Sequence, residues 1–478
     1  MNEYNIVSSI PSCVWTNGVA INDRIDSMYY RSSSIKDYQK IKKFSKIRRV
    51  SNYFDVSKLS GFEYTDYFTE ESLKSGTVIA LTSQNVMENQ INFDNIIKIP
   101  FEIHNSLERS KIYPNDILLS YTGQYRRACT APQNIELHLG PNICRLRSTK
   151  LIDVHYVSTF LNCRYGQSSL DREKTMSAQP TVNMSRIRDI LLPIPSSEIQ
   201  KYIGDKVRKA EELREEAKRL IKEAEEILYS QLKQEQYLEK QKSIVNKYIW
   251  LSDKEVDTRI DSQYYKPNYI LYKHILNKNG IKTKKIKDVV KDIRTGTTPQ
   301  SNYITKDEKR IKFLRVNNLG YCMLEKDDML YVNDKYDEKK LKIIPKGDIL
   351  VSIAGTLGRS SVVDMDNCTT NQNIAALTLK NINFIKPYYL SLYLNSYFGY
   401  LSLDTISTQA TVKYINNELL GEIEIPLIDI DIQLIIEEKI ARYKNKINKS
   451  KQLIQEAKQD VEDLIEGNFD MSKIKVNN

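Results

Sequence analysis

Few of the residues that build reactive or metal-bound centres are present, and those are dispersed. The six cysteines (Cys13, Cys129, Cys144, Cys163, Cys322 and Cys368) include no Cys-x-x-Cys pair. Disulfide frameworks belong to small secreted chains, so these are expected to be reduced, mostly buried thiols. The four histidines, His104, His138, His155 and His274, stand far apart and make no zinc-type spacing, so no metal site is expected. No apolar run approaches the roughly 18 residues of a membrane span. The opening MNEYNIVSSIPS lacks a basic stretch followed by an apolar one. These absences lead to the expectation of a soluble cytoplasmic protein.

Catalytic signatures are missing as well. There is no GxxxxGK[ST], no GxGxxG opening a helix after a strand, and neither GxSxG nor HExxH. No Pro-Pro dipeptide occurs, which excludes the Asn-Pro-Pro-aromatic site of DNA amino-methyltransferases. The chain is expected to be non-catalytic. Its 71 Lys and Arg against 61 Asp and Glu leave a formal charge of +10, which permits a polyanionic partner without demanding one.

What the sequence does hold is an internal echo. RIDSMYYRS at 24–32 returns as RIDSQYYKP at 259–267, an offset of 235. Trp15 and Trp250, the only two tryptophans, share that offset. YPNDILLSYTG (113–123) matches IPKGDILVSIAG (344–355), and HYVSTFLNCRYG (155–166) matches YYLSLYLNSYFG (388–399). AQPTVNMSRIRDILLPIP (178–195) matches QATVKYINNELLGEIEIP (409–426), and EIQKYI (198–203) matches DIQLII (431–436). Six landmarks in one order, with offsets between 230 and 235, indicate a tandem duplication of about half the chain.

Each copy has two parts. The first carries short β-like runs, such as TVIALTS (77–83), NDILLSY (115–121), IKFLRVNN (311–318) and GDILVSIAG (347–355), between turn residues. The second is a long helix. Ile203, Val207, Ala210, Leu213, Ala217, Leu220, Ala224 and Ile227 recur at steps of 4 and 3. Ile436, Ile440, Tyr443, Ile447, Ser450, Ile454, Ala457, Val461 and Leu464 repeat the pattern. That is a heptad seam, and the nearest matching stripe is the other copy, so the two helices are expected to pair antiparallel. The fold class expected is α+β: two mixed α/β domains separated by a long antiparallel two-helix coiled coil, as a pseudo-twofold tandem repeat. The boundaries expected are 1–195 and 244–428 for the mixed domains, 196–243 and 429–467 for the helices, and 468–478 for a tail.

Residues suited to nucleic acid cluster in turn-like stretches of both copies, because amides, hydroxyls and arginines read bases and phosphates. In the second copy these are Arg294, Thr297 and Thr298 of IRTGTTPQSNY, then Arg315, Asn317 and Asn318. Thr356 and Arg359 follow, then Gln409, Thr411 and Lys413. In the first copy they are Ser83, Gln84, Asn85, Thr122, Gln124, Arg126, Arg127, Gln179 and Thr181. RIDSxYY itself is expected to be structural, its tyrosines packing where each globular part begins.

The order of parts resembles the specificity (S) subunit of type I restriction–modification systems. The resemblance lies in IRTGTTPQSNY…FLRVNNLG, PKGDILVSIAGTLGRSSVV and IPLIDIDIQLIIEEKI, and in the first copy in LSGFEYTDYFTEES, NDILLSYTG and IPSSEIQ. It implies that each mixed domain is a target recognition domain reading one half of a bipartite, asymmetric double-stranded DNA target. It further implies that the helices are a ruler and a docking surface for two methyltransferase (M) subunits. Catalysis, S-adenosylmethionine and ATP with magnesium would then belong to partner subunits, restriction (R) subunits among them, with no cofactor in this chain. The first copy departs from the pattern, since no GxTP loop follows Arg48-Arg49-Val50. Two other readings stay open: the specificity subunit of a related type II or other phage-defence methylation system, and a coiled-coil interaction scaffold.

Overall fold

A computed structural model of the chain describes residues 4–9, 12–16, 29–122, 126–175, 180–242, 256, 262–408 and 413–475. The chain divides into two compact units, Met1–Arg214 with Asn448–Asn478, and Glu215–Ile447.

The first unit holds two four-stranded sheets. One runs in the order Ala128–Thr130, Ile117–Ser120, Ile143–Ser148, Phe54–Lys58, all antiparallel. The other runs Ile97–Ile99, Val78–Leu81, Leu137–Leu139, Lys111–Ile112, with a parallel pair between Leu137–Leu139 and Val78–Leu81. Alternation of side chains puts Ile117 and Leu119 into a core with Tyr156, Phe160 and Leu161 of the helix Val154–Asn162. Leu118 faces a second core, with Leu81, Val86 and Leu139.

The second unit has the same plan. A five-stranded sheet runs Val290–Thr295, Ile374–Leu379, Ile349–Ser352, Ser360–Val362, Cys322–Met323. A four-stranded sheet runs Ile304–Thr305, Leu330–Val332, Ile311–Leu314, Cys368–Thr370. Its parallel pair joins Ile311–Leu314 to Cys368–Thr370. The helices Pro387–Asn395 and Tyr397–Ile406 take the places of Val154–Asn162 and Arg164–Glu173.

Sequence-matched residues make matched bonds in the two units. Asn162 clasps both backbone groups of Ala128, accepting from its N–H at 2.9 Å and donating to its carbonyl at 2.7 Å. Asn395 does the same to Ser360, at 3.1 and 2.7 Å. The Tyr156 hydroxyl donates to the Pro193 carbonyl and the Tyr389 hydroxyl to that of Pro426. Gln200 accepts from the Asp153 N–H and donates to Pro195; Gln433 accepts from the Lys386 N–H and donates to Ile428. Gly166 and Gly399 sit where a Cβ would lie 2.0 Å from the carbonyl oxygens of Phe160 and Tyr393, so only glycine closes the turn between the two short helices.

Two long helices, Ser197–Gln231 and Ile430–Glu466, each contribute one half to each unit. In the first unit Ile203, Val207 and Ala210 share a core with Ile454, Ala457, Val461 and Ile465. Tyr202 meets Phe469 while Lys206 meets Asp460, so one index falls as the other rises and the pair is antiparallel. In the second unit Ala224 and Leu228 share a core with Ile436 and Ile440. There Glu216 pairs with Lys446 and Glu223 with Lys439, again antiparallel. Of the other seam positions, Ala217 and Leu220 are buried, and Leu213, Tyr443 and Ile447 are half-buried.

The helical stretch expected as one piece over 196–243 is two helices, Ser197–Gln231 and Gln234–Gln241. Between them Lys233 takes the left-handed conformation (φ +58°), which ends the ladder of i to i−4 bonds. That turn folds Tyr237 back onto Phe398, at 5.1 Å between rings, and buries it.

Candidate nucleic-acid interface

Strand pairing alone decides which loops meet. In the second unit Thr295 is opposite Ala375 and Ser352 opposite Ile374, while Leu314 lies beside Thr370. The chain continuing from Thr295, Ser352 and Leu314, and the segment 371–373 that joins the two sheets, therefore lie at one end of the unit. The returning segment joins them through the bridge between Ala354 and Tyr414 and the bond from the Ile415 N–H to the Ile353 carbonyl, 2.9 Å. The loop after Thr295 comes in tightly, since a Cβ on Gly296 would lie 1.9 Å from the Thr370 carbonyl oxygen.

The first unit repeats this convergence. Lys58 is opposite Cys144, Ser120 opposite Ile143, and Leu81 beside Leu139. The returning segment is fixed by the bridge between Thr122 and Thr181 and by the Val182 N–H donating to the Tyr121 carbonyl at 2.9 Å.

The side chains at these ends fall into two groups. Exposed ones include Gln84 in the first unit, and Thr297, Thr298, Asn317, Thr356 and Arg359 in the second. Ser83, Thr122 and Thr181 are half-buried. Thr298 donates to Gln372, which brings a second amide to the same surface.

The other group is held inward. Asn85 is fully buried: its Oδ1 accepts from Thr82 at 2.9 Å, and its Nδ2 donates to the carbonyls of Asn92 and Asp94. Asn318 is its counterpart, accepting from the Arg315 N–H at 3.0 Å and donating to the carbonyls of Glu325 and Asp327. Both amides therefore stabilise a turn rather than face outward. Arg294 donates to Asp348 at 2.6 Å and to Thr378 at 2.8 Å. Burial pushes the Asp348 carboxyl up, against the pull of Thr378 and Arg294. Arg315 donates to the Asp328 carbonyl, and Arg127 lies against the Met87 sulfur. Arg126 is buried and paired with Asp171, and Lys413 is paired with Asp404. Gln124, Gln179, Gln409 and Thr411 lie outside the described residues.

Aromatic side chains at these ends carry a contribution that the amide-and-arginine pattern does not reveal. Tyr400 and Tyr414 are 43% and 42% exposed, and Lys413 lies 5.9 Å from the Tyr400 ring. In the first unit the place of the Gly296–Gln300 loop is taken by a helix, Gly61–Tyr67, capped by Ser60 and Glu63. It presents Phe62, 83% exposed, with Tyr64 and Tyr67. The signals for it in the sequence are the capping-box pair Ser60 and Glu63 and an aromatic run, GFEYTDYF, in which Tyr64 and Phe68 stand four apart.

Residues 278–459 match the family described as type I restriction modification DNA specificity domain. The type I restriction enzyme EcoBI specificity subunit of Escherichia coli is 25% identical over 130 residues, 27% of this chain and 27% of that relative. The match thus spans about a quarter of the curated relative's length. Among solved structures, the S subunit of a type I restriction–modification system from M. genitalium is 11% identical, with 90% of this chain and 97% of that one covered and a TM-score of 0.43. The HsdS subunit of Thermoanaerobacter tengcongensis is 14% identical, with 89% and 97% covered and a TM-score of 0.28. Among the described residues no helix is long and apolar enough to cross a membrane.

Proposed function

We propose that this chain, whose residues 278–459 match the family described as type I restriction modification DNA specificity domain, is the sequence-reading subunit of a multisubunit methylation and restriction complex. Each unit reads one half of a bipartite, asymmetric double-stranded DNA site. The observation that carries this reading is the repeated convergence of loops at one end of a two-sheet scaffold, with different side chains on the two ends. A duplicated scaffold with divergent loops suits two unlike half-sites, whereas a repeated function would need repeated side chains.

At the second unit's end, Asn317 and Gln372 offer amides that pair with adenine edges, and Arg359 a guanidinium that pairs with guanine. Thr297, Thr298 and Thr356 offer hydroxyls to phosphates or bases. At the first unit's end Gln84, Ser83, Thr122 and Thr181 do the corresponding work, beside the aromatic helix Gly61–Tyr67. This chain performs no chemistry in this reading. Two methyltransferase subunits dock on it and hold S-adenosylmethionine, and a restriction subunit uses ATP with magnesium.

Methylome sequencing of cells carrying this gene and its neighbours, with and without the second unit, tests the proposal. A bipartite methylated motif that disappears on deletion is expected. A motif that persists unchanged, or no dependence of methylation on this gene, overturns it.

A further inference from the structure

The carboxylate on the second short helix of each unit holds a loop cation. Asp171 and Asp404 are 233 residues apart, in Arg164–Glu173 and Tyr397–Ile406. Arg126 donates to Asp171, with Lys174 at 3.2 Å from the same oxygen. Asp404 accepts from Lys413 and from Lys266. Burial alone would raise the Asp404 carboxyl, but the hydrogen bonds from Lys266 and Lys413 outweigh it and keep the carboxyl ionised to lower pH than usual.

The cations come from different loops. Arg126 follows the strand Ile117–Ser120, whereas Lys413 lies on the segment returning from the short helix. The position matching Arg126 is Gly358, and the position matching Lys413 is Pro180, since the matched bridges place Thr181 where Tyr414 stands. The acid is common to both units while its partner has changed loop. The repeated phrase also ends here. Lys266 closes RIDSQYYK on Asp404, and Gln263 donates to the Asp404 carbonyl at 2.7 Å. Its counterpart Arg31, which closes RIDSMYYR, lines one polar pocket with Asp171, Arg164, Gln167 and Lys174.

We infer that Asp171 and Asp404 are positioning residues, each fixing the path of one reading loop and neutralising that loop's cation. This rests on the units being DNA readers. A free lysine or arginine at a reading end would add a phosphate contact that attracts every sequence alike. Held by the carboxylate, the same cation adds no such contact and instead anchors the loop that carries the base-reading groups. In the second unit Gln263 and Lys266, from the end of the repeated phrase, then tie this carboxylate to the chain that precedes the helix Pro267–Lys278.

The experiment uses the full chain in complex with its methyltransferase subunits, and duplexes recovered by the wild-type complex from a random pool. Binding of wild type, D404N, K413Q and the double variant is measured over a series of salt concentrations. D404N is expected to steepen the slope of log K against log salt by about 0.9, the value of one added phosphate contact. It is also expected to lower discrimination at the second half-site by about tenfold, the scale of one mismatched pair, while the first half-site is unaffected. K413Q, which leaves Asp404 its pairing with Lys266, should keep the wild-type slope, and the double variant should return to it. A purely structural Asp404 would lower the thermal midpoint without changing the slope. An unchanged slope in D404N, or a slope shallower by about 0.9 in K413Q, overturns the inference. Failure of the wild-type complex to recover any preferred duplex would instead overturn the DNA-reading proposal itself.

Discussion

The two units agree where they are buried and differ where they are exposed. Asn162 and Asn395, Tyr156 and Tyr389, Gln200 and Gln433, and Gly166 and Gly399 make the same contacts. At the loop ends, by contrast, an aromatic helix stands in one unit where a Thr-Thr loop stands in the other. Histidine is also unevenly divided: His104, His138 and His155 are in the first unit and His274 is in the second. Hydrogen bonds inside a core tolerate few substitutes, because an orphaned buried polar group is costly. A solvated loop has no such constraint. The comparison teaches that conserved architecture in this molecule is enforced by buried polar clasps as much as by apolar packing.

The strongest way to break the shared scaffold is Gly166→Ala or Gly399→Ala. Either added methyl meets a backbone carbonyl, so each variant should lose more than about 3 kcal/mol in denaturant unfolding. Equal losses are expected in the two units, and a tolerated substitution in either would show that the turn can relax.

Next in size is acidification, which should separate the units. His138 is held down to about 4 by burial and by the neighbouring His104, whose Nδ1 lies 3.2 Å from that of His138. Burial likewise holds His155 at about 4. Their folded values lie below the unfolded one, so the unfolded state takes up protons first as pH falls. Stability is therefore full above about pH 6.5 and is lost progressively towards pH 4, by about 2 kcal/mol per histidine at pH 5. Hydrogen exchange corrected for pH should show the first unit loosening before the second. A second unit that loosens first contradicts this.

Asn85→Ala and Asn318→Ala remove matched turn clasps and leave backbone groups without partners, at about 1–2 kcal/mol each in thermal melts. A loss well below that in either would mean that water replaces the amide. Smallest in stability, and largest in selectivity, is Arg359→Ala. Its melting should stay within about 0.5 kcal/mol of wild type, as for an exposed side chain. Preference among duplexes should fall by about 1–3 kcal/mol, and only at the half-site read by the second unit.

The duplication and the helical seam were legible because both are periodic. Six landmarks repeated in order cannot arise from local chemistry alone, and a stripe at steps of 3 and 4 has one physical meaning. The candidate site was legible only as a set of segments. Asn85 and Asn318 look like base readers in the sequence, yet both amides close turns. Arg126 and Arg294 look like DNA contacts, with guanine their natural partner, yet both meet carboxylates more than 40 residues away. An amide or guanidinium has the same local signature whichever way it faces, and the partner that decides is remote in sequence. The break at Lys233 was hidden for a similar reason, since lysine is a good helix former and only tertiary packing of Tyr237 explains its left-handed backbone.

One carboxylate that accepts a cation from either of two loops has an evolutionary consequence. A lineage can shorten, lengthen or rewrite the loop carrying Arg126, provided that the neighbouring loop acquires a lysine such as Lys413 within reach. New loop sequences can then be accommodated on either side of the carboxylate, because the tether is set by its place on the short helix and not by the sequence of one loop.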